Sequence, residues 1–429
     1  MPGTSETRAQ QNDGAEVGCD VTSAKARRSA VAIGGVAGLL ALSGCATISS
    51  ALKDGSDAVI EILPQADTTA AAIPVNAPIV VRVDQGTLTD VVVTGPKGPM
   101  VGTMNESQTE WTSNSATLNF GAQYAIAAKA VDLQGTPAEK SVKLLTVKPK
   151  KTVDGQFAYF MNNETVGVGM PIRIDFSQPI KNRKAVEQSL KVTSSKATTG
   201  AWSWSDDHQS VTFRPQTYWP ARSKIKVVAA LRGVQTAPGI YGDRDMKAGF
   251  KTGPAMVSTV DANTLTMTVR KDGKVLRKIP VTTGKAGFET REGIKPIMAK
   301  EGTVVMDAAS GGTPKGSPDY YRLTVNYSMR MTQSGEFIHA APWSVGAQGR
   351  SSVSHGCVGV STSNAIWLYG ISRVGDVIDI RHTGRKQDLG NGITEWNIKW
   401  PKWLAKSKLG EQAVGPAAAS APTPASALG

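Results

Sequence analysis

Cysteine and histidine are scarce in this chain, with three and four residues respectively among 429. So few cysteines exclude a disulfide-stapled scaffold, which needs several bridges to replace a core. They also exclude the Cys-x-x-Cys clusters of structural zinc sites, and no His-Glu-x-x-His run is present. Long apolar runs are missing too. The one extended stretch, Ala30 to Leu42, is shorter than the ~20 residues that a bilayer-spanning helix needs. Aromatic residues make up 6% of the chain and nowhere interleave with a basic stripe of the RNA-binding kind, and no helix-turn-helix pattern occurs. Nucleic acid is therefore not an expected partner, despite a net charge of +13. That charge suits long-range attraction to an anionic envelope, or lysines that are simply solvated.

What the chain does have is concentrated. Two of its histidines and one cysteine fall between Gly335 and Ser361, in Gly335-Glu336-Phe337-Ile338-His339, a spacer, and Ser354-His355-Gly356-Cys357-Val358-Gly359-Val360-Ser361. A free thiol has a pKa near 8.5 and is only about 3% thiolate at neutral pH, so a nucleophilic Cys357 needs help. His339 can supply it by returning across a sheet to take or hold the proton. His355, two positions before Cys357, points the same way if the backbone is extended. Gly356 and Gly359 leave the backbone bare, so that amides can approach a reacting carbonyl. Two further readings stand beside this one. Cys357 can be an inert buried residue, or it can join His339 and His355 in a zinc site of three ligands at most. No metal and no cofactor is expected.

The same residues carry a family likeness. His339 followed by Ser354-His355-Gly356-Cys357 resembles the signature of the L,D-transpeptidases (the YkuD-type catalytic domain), cysteine enzymes that cross-link peptidoglycan. The wider wording from Ser334 to Gly349, including His339-Ala340-Ala341-Pro342-Trp343-Ser344, is similar to the actinobacterial and mycobacterial lipoprotein branch with two immunoglobulin-like domains. The likeness runs from about Ala51 to Lys408.

The resemblance implies a mechanism. Cys357 attacks the carbonyl that joins the L-centre of diaminopimelate to D-alanine in a tetrapeptide stem. His339 holds the thiolate and then protonates the departing D-alanine. Backbone amides around His355, Gly356 and Cys357 face the oxyanion, and an amine from a second stem resolves the thioester into a 3→3 cross-link. Met306, Tyr321, Ser334 and Gly335 match family positions lining the donor pocket or lid. Peptidoglycan stems and carbapenem β-lactams are the implied partners. Two positions depart from the pattern. Gly359 stands where the family usually has Asn, so a side-chain amide that would order the site or touch substrate is missing. Ala340 stands where Ser is frequent, and serves equally well if its backbone carbonyl orients His339. Water in place of the acceptor amine would make the protein a carboxypeptidase. The missing amide is also compatible with a weakly active wall-binding homologue, and stacked sandwich modules with a non-enzymatic adhesive lipoprotein.

The rest of the chain is expected to be mostly β. Lys25, Arg27 and Arg28 precede the apolar run, which ends in Leu42-Ser43-Gly44-Cys45. A basic flank, a short apolar core and small residues describe a secretory signal over 1–44. The ending resembles a lipobox, which makes Cys45 the lipidated residue and membrane anchor of an exported protein. Residues 45–73 read as a tether. Strand-like runs such as Ile79–Val83, Leu88–Thr94, Ala116–Phe120 and Tyr124–Val131, broken by Gly-Pro turns, predict an immunoglobulin-like β-sandwich over 74–147. Pro171–Phe176 and Lys224–Leu231 repeat the scheme in a second sandwich over 148–252, and the two modules suggest a stalk. Trp202, Trp204 and Trp219 are assigned to packing.

The catalytic domain is expected over 253–382. It opens with a hairpin turning at Asp272-Gly273. A glycine-rich interval from Asp307 to Tyr320 suits a lid or a disordered loop. A short helix follows the cysteine, capped by Ser361. Trp396, Trp400 and Trp403 in the 383–410 subdomain share one face if helical. The Ala/Pro-rich end, 411–429, is expected to be disordered.

Overall fold

Period-two burial builds most of the molecule. The computed structural model describes residues 56–65, 72–159 and 162–416, so the leader and Cys45 lie outside the described residues. In the strand Gln123–Asp132 burial alternates strictly, sending Tyr124, Ile126, Ala128 and Ala130 inward. They meet Val81 and Val83 of the strand Val80–Asp84 across a shared core. Two four-stranded sheets form this first sandwich. One strand, Val59–Leu63, comes from the segment expected to be a tether. It pairs antiparallel with Val80–Asp84 and buries Ile60 and Ile62. The alternation Val-Ile-Glu-Ile-Leu carries that signal, but polar and alanine-rich neighbours obscure it. Conversely, Ala116–Phe120 is not a strand. Leu118 is buried there, and its N–H donates to Val75 O at 2.8 Å from irregular backbone.

The second module packs a five-stranded sheet against a four-stranded one, with an added three-stranded sheet. Trp202, Trp204 and Trp219 are buried in its core. Phe213 lies 5.3 Å from the Trp202 ring and 5.8 Å from Trp219, as packing requires. The chain returns to this module at its end. Gln412–Val414 pairs antiparallel with Thr198–Gly200, so the expected disorder does not hold for the first residues after 410.

This module is continuous with the catalytic domain. Val377, Ile393 and Trp396 belong to its core cluster. Gly167 N–H donates to Val374 O at 2.7 Å, and a Cβ on Gly167 would lie 2.0 Å from Asp376 N. Only glycine permits backbones this close. The three C-terminal tryptophans do not share one helix face. Trp396 sits on a 3₁₀ turn, Glu395–Asn397, while Trp400 and Trp403 lie on the helix Trp400–Leu404. All three nevertheless converge on the Arg214 guanidinium of the second module, at 4.8 to 5.1 Å.

The catalytic domain has two sheets. Asp272 and Gly273 both take positive φ, 51° and 81°, in the two-residue turn between Thr266–Lys271 and Lys274–Pro280. The second sheet runs Ala299–Asp307, Arg322–Arg330, Phe337–Ala340, Val358–Val360. The helix Thr362–Ile371 follows, with Ser361 Oγ accepting from Asn364 N at 3.3 Å.

Candidate active site

A parallel strand pair explains why residues so far apart in sequence meet. Phe337–Ala340 and Val358–Val360 run side by side, with Ile338 opposite Val358 and His339 opposite Gly359. Parallel neighbours require a crossover, here the segment from 341 to 357. Successive side chains alternate between faces. Ile338, Ala340, Val358 and Val360 enter the domain core, whereas Phe337 and Cys357 join a separate cluster with Met306 and Val325. His339 and Cys357 thereby line one cavity of about 480 Å³, together with Met306, Tyr321, His355 and Gly359. Ser334 and Gly335 lie on the turn that leads into the His339 strand and are not in that lining, although the Gly335 carbonyl contacts the sulfur.

His339 is buried, and its Nδ1 is 2.8 Å from Ala340 O. Nδ1–H therefore donates to that carbonyl, which leaves Nε2 as the ring's acceptor. The Ala-for-Ser departure costs nothing here, because the backbone does the orienting. Burial lowers the His339 pKa, with the Ala340 bond working the other way, so the resting imidazole is neutral.

Cys357 Sγ is 3.8 Å from Gly335 O, its hydrogen-bond acceptor, rather than bonded to His339. Burial pushes the thiol up to about 12. The Phe337 N–H lowers it, Glu336 raises it further, and Lys295 and Arg330 lower it. Burial thus favours the neutral thiol and the neutral imidazole at rest.

His355 does not reach the sulfur side by side with Cys357. Gly356 takes φ of 121°, which breaks the extended alternation. The His355 ring instead packs on Phe288 at 4.6 Å and Tyr321 at 4.8 Å, with Nε2 3.6 Å from Asp319 Oδ1. Asp319 also pairs with Lys285 at 2.6 Å, which ties the glycine-rich interval to the loop carrying Phe288. Burial and Lys285 lower the His355 pKa, opposed by Asp319. The Gly356 N–H, expected at the oxyanion, donates to Ser354 Oγ at 3.1 Å, while Ser354 Oγ donates to Cys357 O at 2.6 Å. That hydroxyl closes the turn carrying the thiol.

Gly359 is fixed by its neighbours. A Cβ there would lie 2.8 Å from Thr282 Cγ2 and 3.1 Å from Ala341 Cβ. Thr282 bridges to Gly359 through both backbone groups. Its hydroxyl donates to Ser351 O at 2.9 Å and accepts from Val353 N at 3.0 Å. Thr282 thus orders the approach to the cysteine from the place a larger residue at 359 would need. Sequence reasoning missed it, as it missed Trp343, Ser344 and Ala347 on the same side of the cavity. It also missed the buried charges Glu336 and Lys295 behind the sulfur. Among the described residues, no group of three or more His, Cys, Asp or Glu side chains is placed to hold a metal ion.

A thiol and an imidazole on neighbouring strands of one apolar-walled cavity define a site for cysteine acyl transfer. Similarity to known proteins agrees with that class. The bacterial Ig domain family matches residues 70–235, and the L,D-transpeptidase catalytic domain family matches residues 255–380. L,D-transpeptidase 2 of Mycobacterium tuberculosis is 32% identical over 340 residues, covering 78% of this chain and 82% of its own length. L,D-transpeptidase 5 of the same species is 32% identical over 361 residues, covering 82% and 78%. Among solved structures, an L,D-transpeptidase in complex with imipenem is 36% identical over 53% of this chain and 97% of its own, with a TM-score of 0.45. The chain belongs to the L,D-transpeptidase family.

Proposed function

We propose that this protein is a peptidoglycan L,D-transpeptidase that forms 3→3 cross-links, with Cys357 as nucleophile and His339 as its proton-transfer partner. The observation that carries the assignment is the shared cavity. It brings the Cys357 thiol together with the His339 imidazole, whose Nδ1 is already committed to Ala340 O, so that Nε2 serves as the base.

Because the resting thiol is neutral, deprotonation accompanies attack. As Sγ bonds to the carbonyl carbon between diaminopimelate and D-alanine, Nε2 takes the thiol proton and the carbonyl electron pair moves to oxygen. Backbone amides at His355 and Cys357 would face that oxyanion, and freeing the Gly356 N–H from Ser354 Oγ would add a third donor. The imidazolium then gives its proton to the leaving amine, the C–N bond breaks, and D-alanine departs from a thioester. An amine of a second stem attacks the thioester, a new amide forms, and the thiol is restored. Met306 and Tyr321 line the cavity and would receive the donor stem, with the Asp307–Tyr320 interval between them as the candidate lid. A strained β-lactam amide enters the same first step, as the imipenem complex of a relative suggests for carbapenems.

The basic-apolar-small order ending at Cys45 supports export, with lipidation of that cysteine. The catalytic domain would then work on the outer face of the cytoplasmic membrane and reach into the wall. Loss of membrane association in Cys45→Ala tests the anchor, and unchanged association would refute it.

Incubation with disaccharide-tetrapeptide, followed by mass spectrometry of dimer, tripeptide and free D-alanine, tests the activity. Dimer is expected, and none in Cys357→Ala. Trimmed tripeptide without dimer would make the protein a carboxypeptidase instead.

A further inference from the structure

One sheet of the second module turns a face of lysines to solvent. The sheet runs Asn162–Val166, Met246–Thr252, Lys224–Ala229, Leu190–Ser194. Alternation sends Leu190, Val192, Ile225, Val227 and Phe250 into the core, so the residues between them point outward. Among those are Lys191, Lys224, Lys226, Lys247 and Lys251, all exposed. The last three strands contain no aspartate or glutamate. The first brings Glu164, exposed where its register with Met246–Thr252 slips.

Pairing sets like charges against one another. Lys224 stands directly opposite Lys251, with Lys226 next on the same face of its strand, and Lys247 and Lys191 flank Val228 from either side. Directly opposed like charges destabilise a sheet, and a face that is merely solvated carries both signs interspersed. Elsewhere the module pairs its cations: Arg173 with Asp175, Arg244 with Asp154, and Lys406 of the C-terminal segment with Asp206. Among the described residues, none of the five sheet lysines has an ion pair.

The position of the face is fixed too. The module's five-stranded sheet is covered by the C-terminal segment, with Ser203 Oγ donating to Trp403 O at 3.0 Å and Arg214 Nη2 to Ile398 O at 2.7 Å. The lysine face stays open and ends at the catalytic domain. Arg222, two residues before Lys224, pairs with Asp272 in the turn of the catalytic hairpin, where Lys271 and Lys274 are exposed on either side.

We propose that this lysine sheet is a docking surface for a linear polyanion, the un-cross-linked peptidoglycan strand, whose stem carboxylates it holds beside the catalytic domain.

The proposal rests on the function proposed above, since that polymer is the enzyme's substrate. Charge complementarity chooses the partner. The ammonium groups stand on an open pleated face, about 5 Å apart across strands and about 7 Å along them, and enclose no small ligand. Lysine is a point charge on a flexible stem, without the planar fork by which arginine fixes one carboxylate or phosphate. Such a face suits charges that recur along a polymer. Val228 is the one large apolar side chain exposed among the outward residues of the last three strands, so the face has little to insert into a lipid surface.

Co-sedimentation of the full chain with insoluble peptidoglycan sacculi, stripped of attached polymers by acid, reads binding without catalysis. Changing Lys191, Lys224, Lys226, Lys247 and Lys251 together to Gln should weaken binding at least about tenfold. The same five changed to Arg should bind like the wild type. Removing equal charge elsewhere, with Lys97, Lys143, Lys148, Lys150 and Lys151 changed to Gln, should leave binding nearly intact. Wild-type binding should vanish at about 1 M salt, where screening acts within about 3 Å. Circular dichroism reports folding, and if the fivefold variant does not fold, the pair Lys226→Gln and Lys247→Gln decides by a smaller loss in the same direction. Equal losses in both glutamine variants would reduce the effect to net charge, and undiminished binding would leave the face without a role. Either overturns the proposal. Intact binding to sacculi with lost binding to vesicles containing anionic lipid overturns it as well, since the partner would then be a membrane. Dimer formation with undiminished sacculus binding in the lysine variant sinks the docking surface and not the enzyme. Weakened binding in that variant, with no dimer from the wild type, does the reverse.

Discussion

At the residue scale, Gly359 shows how one missing side chain is compensated. The space beside it is filled by Thr282 Cγ2 and Ala341 Cβ, and the ordering that an amide would supply comes from the Thr282 hydroxyl. Gly359→Asn should therefore harm this protein, destabilising it by about 1–3 kcal/mol through overpacking and slowing acylation. Thr282→Ser, which removes the clashing methyl and keeps the hydroxyl, should recover part of both. Thermal melts and acylation rates of the single and double variants check this. The depressed pKa of His339 gives a second prediction. Burial keeps the imidazole neutral below its usual titration range, so carbapenem acylation should hold its rate as pH falls through 6.5 and drop only at lower values. A rate–pH profile centred at or above 6.5 would contradict it. Cys357 and His339 were legible in the sequence because such residues are rare in this chain and chemically distinctive. Glu336, Lys295 and Thr282 were not, because in a linear sequence a buried charge or hydroxyl looks the same as a solvated one.

At the element scale, the parallel pair Phe337–Ala340 and Val358–Val360 does the assembling, and the flanking loops close the site around it. Strand alternation made most of the sheets readable, and Asp272-Gly273 and Ser361 announced their turn and cap. The strand Val59–Leu63 was hidden because five residues of alternation mean little until a partner edge is known, and Ala116–Phe120 failed for want of one. The glycine-rich interval Asp307–Tyr320 is tied down by Lys285–Asp319, a pair whose side chains are more than one-third exposed. Exposed pairs contribute under ~1 kcal/mol to stability. Lys285→Met should accordingly leave the melting temperature nearly unchanged, raise KM for the donor stem, and speed amide exchange in residues 308–320. An unchanged KM would mean that the interval does not act as a lid over the donor stem.

At the scale of the whole molecule, the second sandwich, the catalytic domain and the C-terminal segment form one packed body. The stalk reading therefore cannot apply to a hinge between the second module and the enzyme. Trp396 Nε1 donates to Gly169 O at 2.8 Å, Trp403 Nε1 donates to Ala201 O at 3.0 Å, and Arg214 lies beneath three indoles. Glu187, fully buried in the second module, accepts from Trp204 Nε1, Ser407 Oγ, and the Lys408 and Leu409 amides. Truncation after Leu404 would strip three of those four donors from a buried carboxylate. It should cost about 3 kcal/mol or more by denaturant unfolding, with the catalytic domain and second module losing structure together. Independent unfolding of the catalytic domain, or an unchanged midpoint, would contradict this. Sequence could not show the continuity, since Gly167 and Gly169 reveal their purpose only when another backbone lies against them.

The most direct test is time-resolved intact mass of the protein with a carbapenem, with peptide mapping of the adduct. One equivalent should add to Cys357, vanish in Cys357→Ala, and form far more slowly in His339→Gln. An unmodified mass, or an adduct on any other residue, would contradict the account.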